Sequence, residues 1–189
     1  MVLKKKEASG AIGYTILFFM AMIMVMMTIF LLEEAKLMTH QHDIDDAMAD
    51  AVLASLVADD TYYFDTIKDG SEGILRFRNM QQSYKDYVEC MEAALSNTEG
   101  FYYNFQYVKF IMYEVEDENV RIVTYVGRNG AKTERKGKLG EVKTPEGKVV
   151  ENTGSYAKVQ FDIKSMISGN YITKTRDIYC VLKVNDKEE

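Results

Sequence analysis

From Gly10 to Leu32 the chain reads GAIGYTILFFMAMIMVMMTIFLL, without a charged residue or a proline. A helix of that length rises about 34 Å, enough to cross the apolar core of a bilayer. Lys4, Lys5 and Lys6 precede the run, and Glu33 and Glu34 follow it. Lysine on one flank alone places the N-terminus in the cytoplasm and the rest of the chain outside. A cleaved secretory signal has an apolar stretch of about 7–15 residues and a small-x-small site. This run is longer, and Thr28-Ile29-Phe30-Leu31-Leu32 contains no such site. The core helix of a soluble protein rarely stays apolar on every face for this distance. The chain therefore divides into a basic cytoplasmic leader at 1–9, a transmembrane helix at 10–32 and an extracytoplasmic domain at 33–189.

No helix breaker follows Leu32 until the Asp59-Asp60 region. Leu37, Ile44, Met48, Ala51, Val52 and Ser55 fall on one side of a 3.6-residue wheel, with Asp43, Asp46 and Asp50 opposite. This pattern predicts one continuous helix from about Ala11 to Ala58, whose second half lays an apolar stripe against the domain. Tyr62 to Ile67 carries no firm signal. Phe77, Met80, Tyr84, Tyr87, Val88, Met91 and Leu95 then predict a second amphipathic helix over about Leu75 to Ser96, with Gly100 as its left-handed cap.

Beyond Phe101 the period becomes two. Tyr107 to Val115 is apolar on both faces, as in a central strand, and Asp117-Glu118-Asn119 turns it into the strand Val120 to Val126. Residues 131–148, rich in Lys, Gly and Glu, read as an exposed twisted hairpin or loop around Pro145-Glu146-Gly147. Ala157, Val159, Phe161 and Ile163 alternate with polar residues, giving a strand with one wet face. Ser168-Gly169-Asn170 leads to a last strand from about Tyr171 to Val184. The fold class is α+β, a long helix and a second helix followed by an antiparallel sheet of four to five strands.

The net charge of −6 becomes more acidic beyond the lysine leader, and no basic stripe with interleaved aromatics occurs. Nucleic acid is not an expected partner. His40 to Asp50, HQHDIDDAMAD, places His42, Asp46 and Asp50 on one helix face, a geometry compatible with a metal. A solvated face opposite the apolar stripe accounts for it more simply. There is no GxSxG, GxxxxGK[ST] or GxGxxG, so neither catalysis nor a cofactor is expected. The basic stretch of Arg128, Lys132, Arg135, Lys136 and Lys138 reads as a charged sheet edge, or as a docking patch for an acidic partner. Cys90 and Cys180 allow one intramolecular pairing outside the membrane. Cys180 sits on the apolar face of the last strand and Cys90 beside the stripe of the second helix. They bond if the helix covers the sheet closely enough, and otherwise serve as small apolar residues.

The leader Lys4-Lys5-Lys6-Glu7-Ala8-Ser9-Gly10, the apolar run from Ala11 and its amphipathic extension through Val57 resemble the type IV pilin-like superfamily, and within it the TadE-like pseudopilins of Tad pilus systems. The resemblance implies a non-enzymatic structural subunit of a bacterial pilus or secretion assembly. It also implies a prepilin peptidase that cuts between Gly10 and Ala11, and helices that pack with other pilin-like subunits. The family usually carries a glutamate five residues after the cut; here that position is Thr15, and the next acid is Glu33. Two other classes remain: a single-pass anchored module that binds an extracytoplasmic ligand or protein, and, more weakly, an anchored envelope enzyme.

Overall fold

The computed structural model describes residues 3–70, 73–98, 100–129 and 131–183. Helix α1 spans Leu3–Ser55 without interruption. Every residue from Ile12 to Leu32 is exposed, whereas Ile44, Met48, Ala51, Val52 and Ser55 are buried. One rod thus has two halves with different surroundings. The expected stripe is present, and α1 packs it against helix α3 and strands β4 and β5, defined below.

The helix ends at Ser55, three residues before the expected Ala58. There Val57 to Asp59 leaves the helical path and pairs with Arg76 to Arg78. The Asp59 N–H donates to the Arg76 carbonyl and the Arg78 N–H to the Val57 carbonyl, both at 2.9 Å. This short ribbon closes an excursion that contains helix α2, Asp60–Lys68, the segment for which the sequence carries no firm signal. Asp59 caps α2 by accepting from the Tyr62 N–H.

Helix α3 spans Met80–Ser96, five residues shorter at its start than the periodicity predicts. Asn79 is its N-cap, extended in backbone and accepting from the N–H groups of Gln81 and Gln82 at 2.9 and 3.1 Å. Phe77 is therefore buried from the ribbon and not from a helix. Asn97 is the C-cap, and Gly100, although at φ +86°, lies beyond it in the following turn.

Five antiparallel strands follow: β1 (Tyr102–Glu116), β2 (Asn119–Tyr125), β3 (Lys132–Lys138), β4 (Gly154–Lys164) and β5 (Tyr171–Val181). They lie in the order β3-β2-β1-β4-β5, so β1 is central, as its two apolar faces require. The last strand stops at Val181, and Val184 lies outside the described residues. On the face toward the helices Phe110, Met112, Val123, Ala157, Val159, Phe161 and Ile163 join Met48, Val52, Tyr87 and Met91 in the main core. A run of neighbouring rings crosses this layer. Tyr84 stacks on Tyr125 at 3.9 Å, Tyr87 on Phe110 at 4.3 Å, and Tyr102 meets Phe161 edge-on at 5.4 Å.

The stretch 131–148 is largely exposed, as its composition predicts, and turns at Pro145-Glu146-Gly147 where Lys143 pairs with Val149; what the composition does not show is its packing on the opposite face of the sheet. Its first part is the edge strand β3, and its second part folds back over the sheet. Leu139, Val142 and Val150 cover Ile111, Tyr113, Val120, Ile122 and Tyr156 in a second apolar cluster. Gly137 makes this possible, because a Cβ there would collide with the Val142 side chain.

Met48→Ala removes a fully buried side chain where α1 meets the sheet and should cost about 2–5 kcal/mol. Asp50→Asn, on the exposed face, should change stability by about 0.5 kcal/mol or less. Denaturant unfolding of the two variants in detergent measures the contrast. Burial pushes the phenols of Tyr107, Tyr113 and Tyr179 up to about 12. Their folded-state protons are held more tightly than unfolded ones, so their contribution is full below pH of about 10 and declines as pH rises toward about 12. Alkaline titration should show tyrosinate absorbance rising together with loss of circular dichroism.

Candidate functional site

The feature that sets this chain apart is the place where α1 changes from exposed to buried, and two polar side chains organise it. Glu33, the first residue after the apolar run, is buried at the foot of the domain. Its two carboxyl oxygens both accept from the Met166 N–H, each at 2.9 Å. Met166 belongs to the β4–β5 turn, which closes on itself through the Ser165 N–H donating to the Asn170 carbonyl. Two turns further along α1, His40 is also buried, its ring 4.7 Å from Phe101 and edge-on to Tyr102 at 5.7 Å. The Tyr102 hydroxyl donates to the His40 carbonyl at 2.8 Å, and burial raises that phenol's pKa.

Further contacts continue up the helix. Arg176 of β5 donates to Gln41 at 2.8 Å and lies 3.3 Å from Asp45. Ser55 Oγ meets Ser155 Oγ of β4 at 3.4 Å. Residues 33 and 55 of α1 therefore meet the two ends of β4. The helix rises about 33 Å between them, and ten strand steps from Ser155 to Ser165 span about the same distance. Strand β4 accordingly runs alongside α1, with the β4–β5 turn at the end nearest the apolar run. The β1–β2 turn, at Asp117-Glu118, lies at the far end.

The residues expected to matter fall as follows. Gly10 and Ala11 lie within α1. His42, Asp46 and Asp50 are exposed, and His40 turns to the opposite, buried side. Among the described residues no group of three or more His, Cys, Asp or Glu is placed to hold a metal ion. Cys90 and Cys180 are unbridged thiols in this structure, both packed beside the main core, and burial raises the pKa of each. Strand β3 is an edge of the sheet with Lys132, Arg135 and Lys136 exposed. Its charges are partly matched, Lys136 to Glu116 at 3.2 Å, and Arg121 of β2 to Glu134 at 2.6 Å. An open cleft between α3 and the start of β1 is lined by Glu92, Leu95, Phe105, Tyr107 and Arg128. The ion pair of Glu92 with Arg128 occupies its polar side.

The sequence pattern does not mark Glu33 and His40 as buried. Both lie on the same wheel face as Leu37 and Ile44, and that position was the available signal. Comparison with protein-family models, with curated proteins and with solved structures finds no match to this chain.

Glu33→Ala leaves the Met166 N–H without its acceptor. Hydrogen exchange of the Ser165–Asn170 amides should accelerate by about tenfold, equivalent to about 1.4 kcal/mol, while amides in the centre of β4 keep their protection. Mass-resolved exchange on the detergent-solubilised chain checks this.

Proposed function

We propose that this chain is a non-enzymatic structural subunit, anchored in the bacterial cytoplasmic membrane as a single-pass, pilin-like protein of a pilus or secretion assembly. The observation that supports the reading is the partition of α1, exposed and apolar throughout Ile12–Leu32 yet continuous with the core stripe at Ile44, Met48 and Val52. A helix used only as a tether would not need to become the central strut of its own domain. A helix that must hold the domain at a fixed orientation while its other half packs with neighbouring helices does need that continuity. Lys4, Lys5 and Lys6 orient the N-terminus toward the cytoplasm and put the sheet domain outside. Thr15 at the fifth position after Gly10 leaves helix packing without the family's carboxylate link, so lateral association falls to the apolar faces rich in methionine.

The Gly10–Ala11 junction is the place a prepilin peptidase would cut. Intact mass of the protein from native membranes should then correspond to a chain that begins at Ala11. Met24→Cys, in the exposed run, should give disulfide-linked dimers on mild oxidation. A full-length mass in cells with an active peptidase counts against processing, and cysteine variants that remain monomeric along the run count against assembly.

A further inference from the structure

The turn held by Glu33 has outward-facing side chains that do not suit a water-facing loop. Met166 is 62% exposed, the adjacent Ile167 56% and Tyr171 52%. Tyr103 packs edge-on against Tyr171 at 5.1 Å, and Phe101 is exposed beside His40 at the same end of the sheet. The rest of the turn is ordinary and polar, with Ser165 Oγ accepting from the Ser168 N–H and Ser168 Oγ from the Asn170 N–H. Two large apolar residues at its tip therefore need a reason beyond turn geometry.

Their height supplies one. Side chains on a helix lean toward its N-terminus, so a group held by Glu33 sits level with the preceding turn, Phe30 to Leu32. The apolar run is about 34 Å long against a hydrocarbon core of about 30 Å, which puts its last turn at the boundary between acyl chains and headgroups. Tyrosine favours that layer, and the exposed Lys164 adjoining the turn supplies a cation at the level of the phosphates.

We propose that the β4–β5 turn is a second membrane contact, in which Met166 and Ile167 enter the bilayer interface while Tyr103 and Tyr171 lie in the headgroup layer. The proposal rests on α1 spanning the membrane. With one attachment the rod and its domain are free to tilt together in the bilayer and to rotate about the helix axis. With two, the sheet is fixed in tilt and in rotation relative to the bilayer, and the face offered to a neighbouring subunit is fixed with it.

The chain contains no tryptophan, so a single introduced one reports alone. The full-length protein is reconstituted in phosphatidylcholine vesicles carrying bromine at shallow or deep acyl positions. Phe19→Trp reports on the span, Ile167→Trp on the turn, and Val149→Trp on the distal cover of the second cluster. The expected result is quenching of Phe19→Trp, quenching of Ile167→Trp by shallow more than by deep bromine, and none for Val149→Trp. Ile167→Trp that is unquenched beside a quenched Phe19→Trp would overturn the second contact and leave the anchor standing. An unquenched Phe19→Trp would overturn the anchor and the proposal with it. Because tryptophan itself favours the interface, Ser168→Trp is measured with and without Met166→Ser and Ile167→Ser. Loss of its quenching on the serine substitutions is expected, and quenching that persists would show that the native side chains do not carry the contact.

Discussion

A helix that ends at the edge of an apolar phase leaves its last four carbonyls without partners where water is scarce. In this chain α1 runs on from Leu32 for a further six turns and reaches its end at Ser55, inside a domain that has been built around it. There the Ser55 hydroxyl donates to the Val52 carbonyl and the Leu56 N–H to the Leu53 carbonyl, and the chain passes directly into the paired backbone of Val57 to Asp59. Most of the architecture follows from that continuation. The second half of α1 must be amphipathic, the sheet must present a matching apolar face, and one strand must lie along the helix from Glu33 to Ser55. Strand β4 does so, alternating Ser155, Ala157, Val159, Phe161 and Ile163 toward α1 and α3.

The two ends of the contact differ in chemistry. At the far end the fit is close and small, Ser55 against Ser155 with Ala51 and Ala157 nearby. At the near end it is polar and directional, with Glu33 gripping the turn and Tyr102 donating to the helix backbone at His40. Small residues bring the helix and sheet together, and the hydrogen bonds at the near end define their register. A carboxyl that must meet one backbone N–H adds a directional constraint to that packing.

What the sequence made legible was whatever depended on periodicity. The stripe from Leu37 to Ser55, the part of the α3 stripe from Met80 to Leu95 and the alternation of β4 all arise from residues a few positions apart, and the structure packs each of them against the core. The misses share a different cause. Asn79 announces the true start of α3, but the apolar spacing extends back to Phe77 and hides it, since a buried residue looks alike in a helix or a ribbon. The 57–59 and 76–78 pairing is non-local, and so is the cover formed by Leu139, Val142 and Val150, whose spacing fits neither period. Glu33 and His40 are buried because a turn and an aromatic pair more than sixty residues away reach them. No window along the chain contains that information.

The ribbon that closes the α2 excursion has a consequence for how such a chain changes over time. Its two rungs hold the start and finish of the excursion side by side, and none of the α2 residues is buried. The entropy of closing a loop grows only slowly with its length. Segments of other lengths and sequences can therefore replace α2 between the same two rungs while α1, α3 and the sheet keep their places. The domain carries, at the end of its central rod, a socket that asks of the segment it holds only that its two ends meet.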